Sequence, residues 1–336
     1  MQTRVVRVRA KSVNNRGMMQ AVAVLRNGGL VAFPTETVYG LGANALDPSA
    51  VARVFAAKGR PAVNPLIVHV AELDAAQALV VGWPDVAAKL AARFWPGPLT
   101  LVLPKRAVVP DVVTGGGPTV AVRVPAHPVA QALLQMAGVP LAAPSANRSN
   151  ALSPTTAAHV LRGMAGHIDL VIDGGPTCGG LESTVVDVTC SPPRLLRPGL
   201  ISPAELEEVA GSIQRTCAAA SRNEGPLLSP GMLGRHYAPI ARLECCEGDG
   251  QARVDSLCRA GTRVGWLTFS PPAELRHSSL IVIEMPLDPR AYASRLYAAL
   301  HALDDAKVER IVATLPPDSE AWLAVLDRLR RASAAS

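Results

Sequence analysis

Short apolar runs alternate with polar stretches rich in Gly and Pro along the whole chain. Val5, Val6 and Val8, set among arginines, predict an opening strand, and residues 18–26 predict a helix stopped by Gly28-Gly29. Residues 30–33 (LVAF) read as a strand that ends at Pro34. A polar loop is then expected through Thr35, Glu36, Thr37, Tyr39, Gly40 and Gly42. Asp47 and Pro48 form an N-cap and first helical residue, and Val51, Val54 and Phe55 give that helix its apolar side. It ends in Lys58-Gly59-Arg60-Pro61, and residues 66–70 form the next strand.

Further on, helices are predicted over residues 84–94, 128–137 and from Ser153-Pro154 to about Arg162. Strands are predicted over residues 99–103, 119–124, 139–143 and 170–173, then from Thr184 and from Arg194. Residues 110–118 (PDVVTGGGP) form a Gly-rich connection without the GK[ST] of a P-loop. Ser202, Pro203 and Glu205 make a capping box. The irregular alternation predicts an α/β fold with a mixed sheet in residues 1–215. Residues 216–240 form a linker, and 241–336 a smaller α/β domain with strands at 263–269, 280–285 and 308–315 and helices at 292–303 and 321–331.

Composition narrows the function. The 336 residues are 49% hydrophobic, enough for one large or two medium domains. A net charge of +6 and a pI near 9.2 favour anionic ligands or nucleic acid. Aromatic residues at 4% argue against a stacking platform for single strands. The six cysteines include no CxxC pair, so neither a zinc site nor a disulfide framework is expected, and a reducing cytoplasm fits. The charged opening segment lacks the apolar run of a signal peptide. Residues 124–147 are uncharged but hold four prolines, His127 and two glutamines, so no membrane span is expected there.

Several polar groups stand at the ends of predicted elements. Lys58 and Arg60, stiffened by Pro61, suit an anion with several oxygens, although a solvated helix C-terminus also favours cations. Arg123 lies between valines in a strand, where a charge needs a partner or an edge position: an internal ion pair, an edge, or a bound carboxylate or phosphate. Ser145 and Asn147 follow a strand directly, as binding groups or as turn formers. Arg235, His236 and Tyr237 sit together in the linker, more than an inert tether requires.

Taken together, six separated motifs resemble one family. They are residues 34–41 (PTETVYGL), Lys58-x-Arg60-Pro61 with Asn64-Pro65-Leu66, Ser145-Ala146-Asn147, residues 182–187 (ESTVVD), residues 196–199 (LRPG), and residues 229–232 with His236-Tyr237-Ala238-Pro239. In this order they resemble the YrdC-like family of threonylcarbamoyl-AMP synthases in its long, two-domain form. The resemblance covers about residues 14–240 and implies a twisted mixed sheet with a concave basic face, followed by a Rossmann-like C-terminal domain. It also implies the reaction: L-threonine, bicarbonate and ATP give L-threonylcarbamoyl-AMP, pyrophosphate and water, with Mg2+ accompanying ATP. The product then serves tRNA modification at adenosine 37 through a downstream transferase complex, so tRNA is met only indirectly. By motif match, the catalytic residues are Lys58, Arg60 and Asn147. ATP falls to Lys58, Arg60, Asn64, Thr119, Ser145, Asn147, Ser153, Arg197 and Tyr237. Threonine falls to Thr37, His69, Arg123, Ala143 and Ser183, and Tyr237 is expected to cover the site. No protein-held metal is implied. Two rivals are an RNA-binding or ribosome-assembly module using the same basic face, and a carbamoyl-adenylating domain of a hydrogenase-maturation enzyme. The absence of CxxC zinc motifs counts against the second.

Overall fold

A computed structural model describes residues 2–215, 237–270 and 277–334. They fold as two units. The first holds residues up to Ser149, then 154–178, then 182–215; the second holds 150–153, 179–181 and the described residues from Tyr237 on.

The first unit is built on eleven strands: β1 (Arg4–Arg7), β2 (Val31–Pro34), β3 (Tyr39–Asn44), β4 (Ile67–His69), β5 (Leu99–Pro104), β6 (Thr119–Arg123), β7 (Leu141–Ala142), β8 (Leu170–Asp173), β9 (Thr184–Asp187), β10 (Arg194–Arg197) and β11 (Gln214–Arg215). Their order across the sheet is β1-β8-β2-β3-β7-β4-β6-β5-β9-β10-β11. Parallel and antiparallel pairs both occur through it, so the sheet is mixed as expected. The helices Arg16–Arg26 and Pro128–Ala137 bury Met18, Leu25, Val129 and Leu133 against Val31, Phe33, Leu141, Leu170 and Ile172 on one face. The helix Pro48–Lys58 starts on the Asp47 cap and ends on Gly59 in the left-handed region, φ 62°.

Three local expectations are corrected. Residues 39–44 are not loop but β3, paired antiparallel with β2. The glycines that suggested a loop are there for packing: a Cβ on Gly42 would lie 2.8 Å from the Phe33 ring. The helix after Ser153-Pro154 starts later, at Ala157, capped by Thr156. The Pro154 carbonyl accepts from Tyr39 and that of Thr155 from Thr177, which keeps those residues out of the helix. The Gly-rich connection begins as a short helix, Asp111–Thr114, and Gly115 is required where a Cβ would sit 2.6 Å from the Val63 carbonyl oxygen.

The second unit carries a parallel sheet of β12 (Arg242–Cys246), β13 (Val264–Thr268), β14 (Leu280–Glu284) and β15 (Arg310–Thr314), ordered β12-β15-β13-β14. Its helices are Gln251–Arg259, Pro289–Asp305 and Leu323–Ser333. β12 and the helix Gln251–Arg259 escaped the sequence reading because polar residues interrupt their apolar positions, leaving only Val254, Leu257 and Cys258 of that helix buried. No described helix is long and apolar enough to cross a membrane.

Candidate functional site

Register decides which predicted residues share a face. β4 and β6 pair in parallel with His69 opposite Arg123 and Ile67 opposite Ala121. β5 pairs with β6 so that Val102 faces Ala121, and with β9 so that Thr100 faces Val185. Because side chains alternate along a strand, His69, Arg123, Thr100 and Val185 form a row, with Ile67, Ala121 and Val102 as an apolar row beside it on the same face. Thr119 lies on the same face of β6, four residues or about 13 Å from Arg123. Ser183, just ahead of β9, bonds Thr100 across the strands at 2.8 Å.

Around Arg123 every contact is a side-chain or turn contact. Its Nε donates to the Gly97 carbonyl oxygen (3.1 Å), Nη1 to Thr37 Oγ1 (3.0 Å) and Nη2 to Glu36 Oε1 (2.5 Å). The guanidinium is almost wholly buried, its side chain 4% exposed. Glu36 Oε2 accepts from the Ala126 N–H at 3.0 Å. The internal ion pair, one of the readings left open for Arg123, is thus present. Three of five N–H donors are used and two remain for a ligand.

The hydroxyl protons here have fixed directions. Thr35 Oγ1 donates to the Val38 carbonyl oxygen at 2.7 Å, so the 2.7 Å contact between Thr35 and Thr37 is donated by Thr37. Thr37 also accepts from Arg123, and the capacity left to it is that of an acceptor. Thr100 is fully buried and shares a hydrogen bond with Ser183 Oγ, which also accepts from Arg197 Nη2 at 3.1 Å. Arg197 Nε holds the Ser183 carbonyl oxygen at 3.0 Å. His69 is buried against the edge of the Phe33 ring, and its Nδ1 has no hydrogen-bond partner. Burial first, and the Arg123 charge second, push its pKa down to about 3, so the ring is neutral.

The second cluster sits where the segment before β4 meets the segment after β7. Ala143 N–H donates to the Ile67 carbonyl oxygen, and Ser145 bridges to Gly40. Lys58 Nζ donates to the carbonyl oxygens of Ser145 and Asn147, with Asn147 Oδ1 at 3.4 Å. The Ser149 N–H returns a bond to the Lys58 carbonyl oxygen. Burial, then the charges of Arg60 and Arg148, lower the Lys58 pKa well below its ordinary value, with Glu182 opposing. Arg60 donates from Nε to the Asn64 carbonyl oxygen (3.2 Å) and from Nη2 to that of Pro65 (2.9 Å). Asn64 is fully buried, yet both its amide oxygen and nitrogen lack partners.

The structure thus brings Thr37, His69, Arg123, Ser183 and Arg197 together at one end, and Lys58, Arg60, Asn64, Ser145 and Asn147 at the other, with Thr119 at the start of β6 and Ala143 just past β7 between them. Ser153 and Tyr237 belong to the second unit. Ser153 is buried, and His301 Nε2 stands 3.1 Å from its carbonyl oxygen. Tyr237, at φ 61°, lies between the Tyr297 ring and the Arg328 guanidinium. The linker motif at 229–232, with Arg235 and His236, lies outside the described residues. Glu36, Thr100 and Glu182 were missed as individual site groups. Glu36 and Glu182 stood inside quoted motifs, while Thr100 sits in an apolar strand and offered no signal.

Comparisons with known proteins bear on this arrangement. The Sua5/YciO/YrdC family model, described as telomere recombination, matches residues 23–199. The model for the threonylcarbamoyl-AMP synthase C-terminal domain matches residues 201–334. The threonylcarbamoyl-AMP synthase of Pyrococcus abyssi is 45% identical over 320 residues, covering 93% of this chain and 93% of its own. That of Bacillus subtilis is 44% identical over 327 residues, covering 96% and 94%. A solved structure of P. abyssi Sua5 complexed with L-threonine superposes with a TM-score of 0.88 at 42% identity, covering 98% of both chains.

Proposed function

This chain belongs to the threonylcarbamoyl-AMP synthase family, and on that premise we propose how its first unit makes threonylcarbamoyl-AMP from L-threonine, bicarbonate and ATP. The threonine amine attacks the carbon of bicarbonate, forming the C–N bond and releasing water. An oxygen of the resulting carbamate attacks the α-phosphorus of ATP, and the bond to pyrophosphate breaks. Neither step needs a covalent enzyme intermediate, so the protein's work is positioning and charge stabilisation.

The observation that best supports this reading is the pair of clusters joined by β4, β6 and β7. Arg123 has two N–H donors left for the amino-acid carboxylate, Thr37 can accept from its amine or hydroxyl, and Ser183 adds a hydroxyl beside them. His69, neutral, adds an acceptor or donor without repelling the amine's proton. Arg60 and Lys58 hold the loops that would wrap the triphosphate, and Asn64 offers an unused amide. Thr119, Ser145 and Asn147 complete the nucleotide end, Ala143 the floor between the two ends, and Arg197 backs Ser183. Among the described residues no cluster of three His, Cys, Asp or Glu could hold a metal. The site's own donors are cations, amides and hydroxyls, which fit Mg2+ carried on the ATP phosphates. Bound there, the ion would neutralise charge on the leaving pyrophosphate.

The threonylcarbamoyl group then passes, through other proteins of the cytoplasm, to adenosine 37 of tRNA. The direct test is incorporation of labelled bicarbonate into an adenylate. We expect it to require threonine and ATP together and to match pyrophosphate release one for one. Pyrophosphate release that ignores threonine would contradict the proposal. Salt-sensitive RNA binding without any adenylate would favour the RNA-binding reading.

A further inference from the structure

We propose that Glu36 is the positioning residue that aims Arg123 at the carboxylate of the amino-acid substrate. The proposal rests on the reading of Arg123 as the carboxylate's partner. Arg123 is a buried cation on the ligand face of β6, and among the described residues Glu36 is the one carboxylate bonded to it. Both Glu36 oxygens are committed, Oε1 to Arg123 Nη2 and Oε2 to the Ala126 N–H just past β6. The carboxylate is therefore fixed to the end of the strand that carries Arg123.

The backbone of Glu36 is fixed too. Thr35 Oγ1 accepts from the N–H groups of Thr37 (3.1 Å) and Val38 (3.3 Å) while donating to the Val38 carbonyl oxygen, closing a tight turn with Glu36 at its tip. The same turn presents Thr37 to Arg123 Nη1. With Nε on Gly97, the guanidinium plane is held at three points, and one N–H on each terminal nitrogen is left free. Those two suit the two oxygens of a carboxylate. Lys58 and Arg60 bond to other loops, so loosening Glu36 should disturb amino-acid recognition and leave nucleotide recognition intact.

The test uses the full chain, with L-threonine and L-threonine amide as calorimetric probes and separate KM values for threonine and ATP. In Glu36→Gln, threonine binding should weaken at least ~10-fold with the KM for ATP unchanged. The preference for threonine over its amide should shrink, a readout that a merely structural role would not move. Glu36→Asp, which keeps the charge, should regain part of the loss. Wild-type or tighter threonine binding in Glu36→Gln overturns the proposal, as do equal losses for threonine and ATP in both variants. Arg123→Gln separates the premise from the inference. If Arg123→Gln retains the preference for threonine over its amide, Arg123 does not hold the carboxylate. If Arg123→Gln loses that preference and Glu36→Gln keeps it, only the role of Glu36 fails.

Discussion

The two ends of the first unit bury polar groups by different means, although Arg123 and Arg197 each also bond one main-chain carbonyl. At the amino-acid end, side chains on neighbouring strands and one tight turn bond to each other: Arg123 to Thr37 and Glu36, Arg197 to Ser183, Ser183 to Thr100. At the phosphate end, cations bond main-chain carbonyls of the loops beside them: Lys58 to Ser145 and Asn147, Arg60 to Asn64 and Pro65. A network of side chains on strands fixes proton directions before a ligand arrives, which suits the recognition of one small molecule. Cations that staple loops leave charge concentrated but few directed donors, which suits a flexible polyanion. Reading a buried cation therefore requires asking what it is already bonded to.

The largest expected effect falls at the phosphate end. Arg60→Ala should cut pyrophosphate release by ~10–150-fold, the loss of a charged hydrogen bond of about 1.5–3 kcal/mol, while threonine affinity stays near wild type. Activity near wild type at saturating ATP would break the comparison. Next comes selectivity at the other end: serine, lacking one methyl group, should be used less well than threonine by about 1–3 kcal/mol. Equal kcat/KM for the two would show that the amino-acid end does not sense the side chain.

Thr37→Val removes an acceptor but keeps the shape, and should raise the KM for threonine by ~2–12-fold, a neutral hydrogen bond's worth of about 0.5–1.5 kcal/mol, with ATP unaffected. Thr37→Ser should stay near wild type. A smaller effect concerns acid stability. Folded His69 has a pKa of about 3 against an ordinary 6.5. Between those values the unfolded chain binds a proton that the folded chain does not, so stability falls as pH drops through that window. Urea midpoints measured across it should fall less steeply in His69→Gln; an unchanged slope would place the acid sensitivity elsewhere.

Much of this was legible from local chemistry. The Asp47 cap with Pro48, and the Ser202, Pro203 and Glu205 box, mark helix starts because the cap's hydrogen bond is local in sequence. The motifs carrying Lys58, Arg60 and Asn147 pointed to residues that the structure brings together, and Arg123 stood out as a charge between valines. What stayed hidden depends on partners distant in sequence. Tyr39–Asn44 reads as loop until Phe33 is seen packed over Gly42. Thr100 gains its role only from Ser183, 83 residues away, and Glu36 only from Arg123, 87 residues away. The stapling of Ser145 and Asn147 by Lys58 likewise needs the fold, since a lysine at a helix end looks solvated in sequence.

The division of labour between the two ends has one direct test: titrate L-threonine and ATP, each alone, into wild type, Thr37→Val and Arg60→Gln by calorimetry. The account predicts a crossed pattern, in which Thr37→Val weakens threonine and spares ATP while Arg60→Gln weakens ATP and spares threonine. If each substitution weakens both ligands by the same factor, the two clusters are one undivided site and the account is wrong.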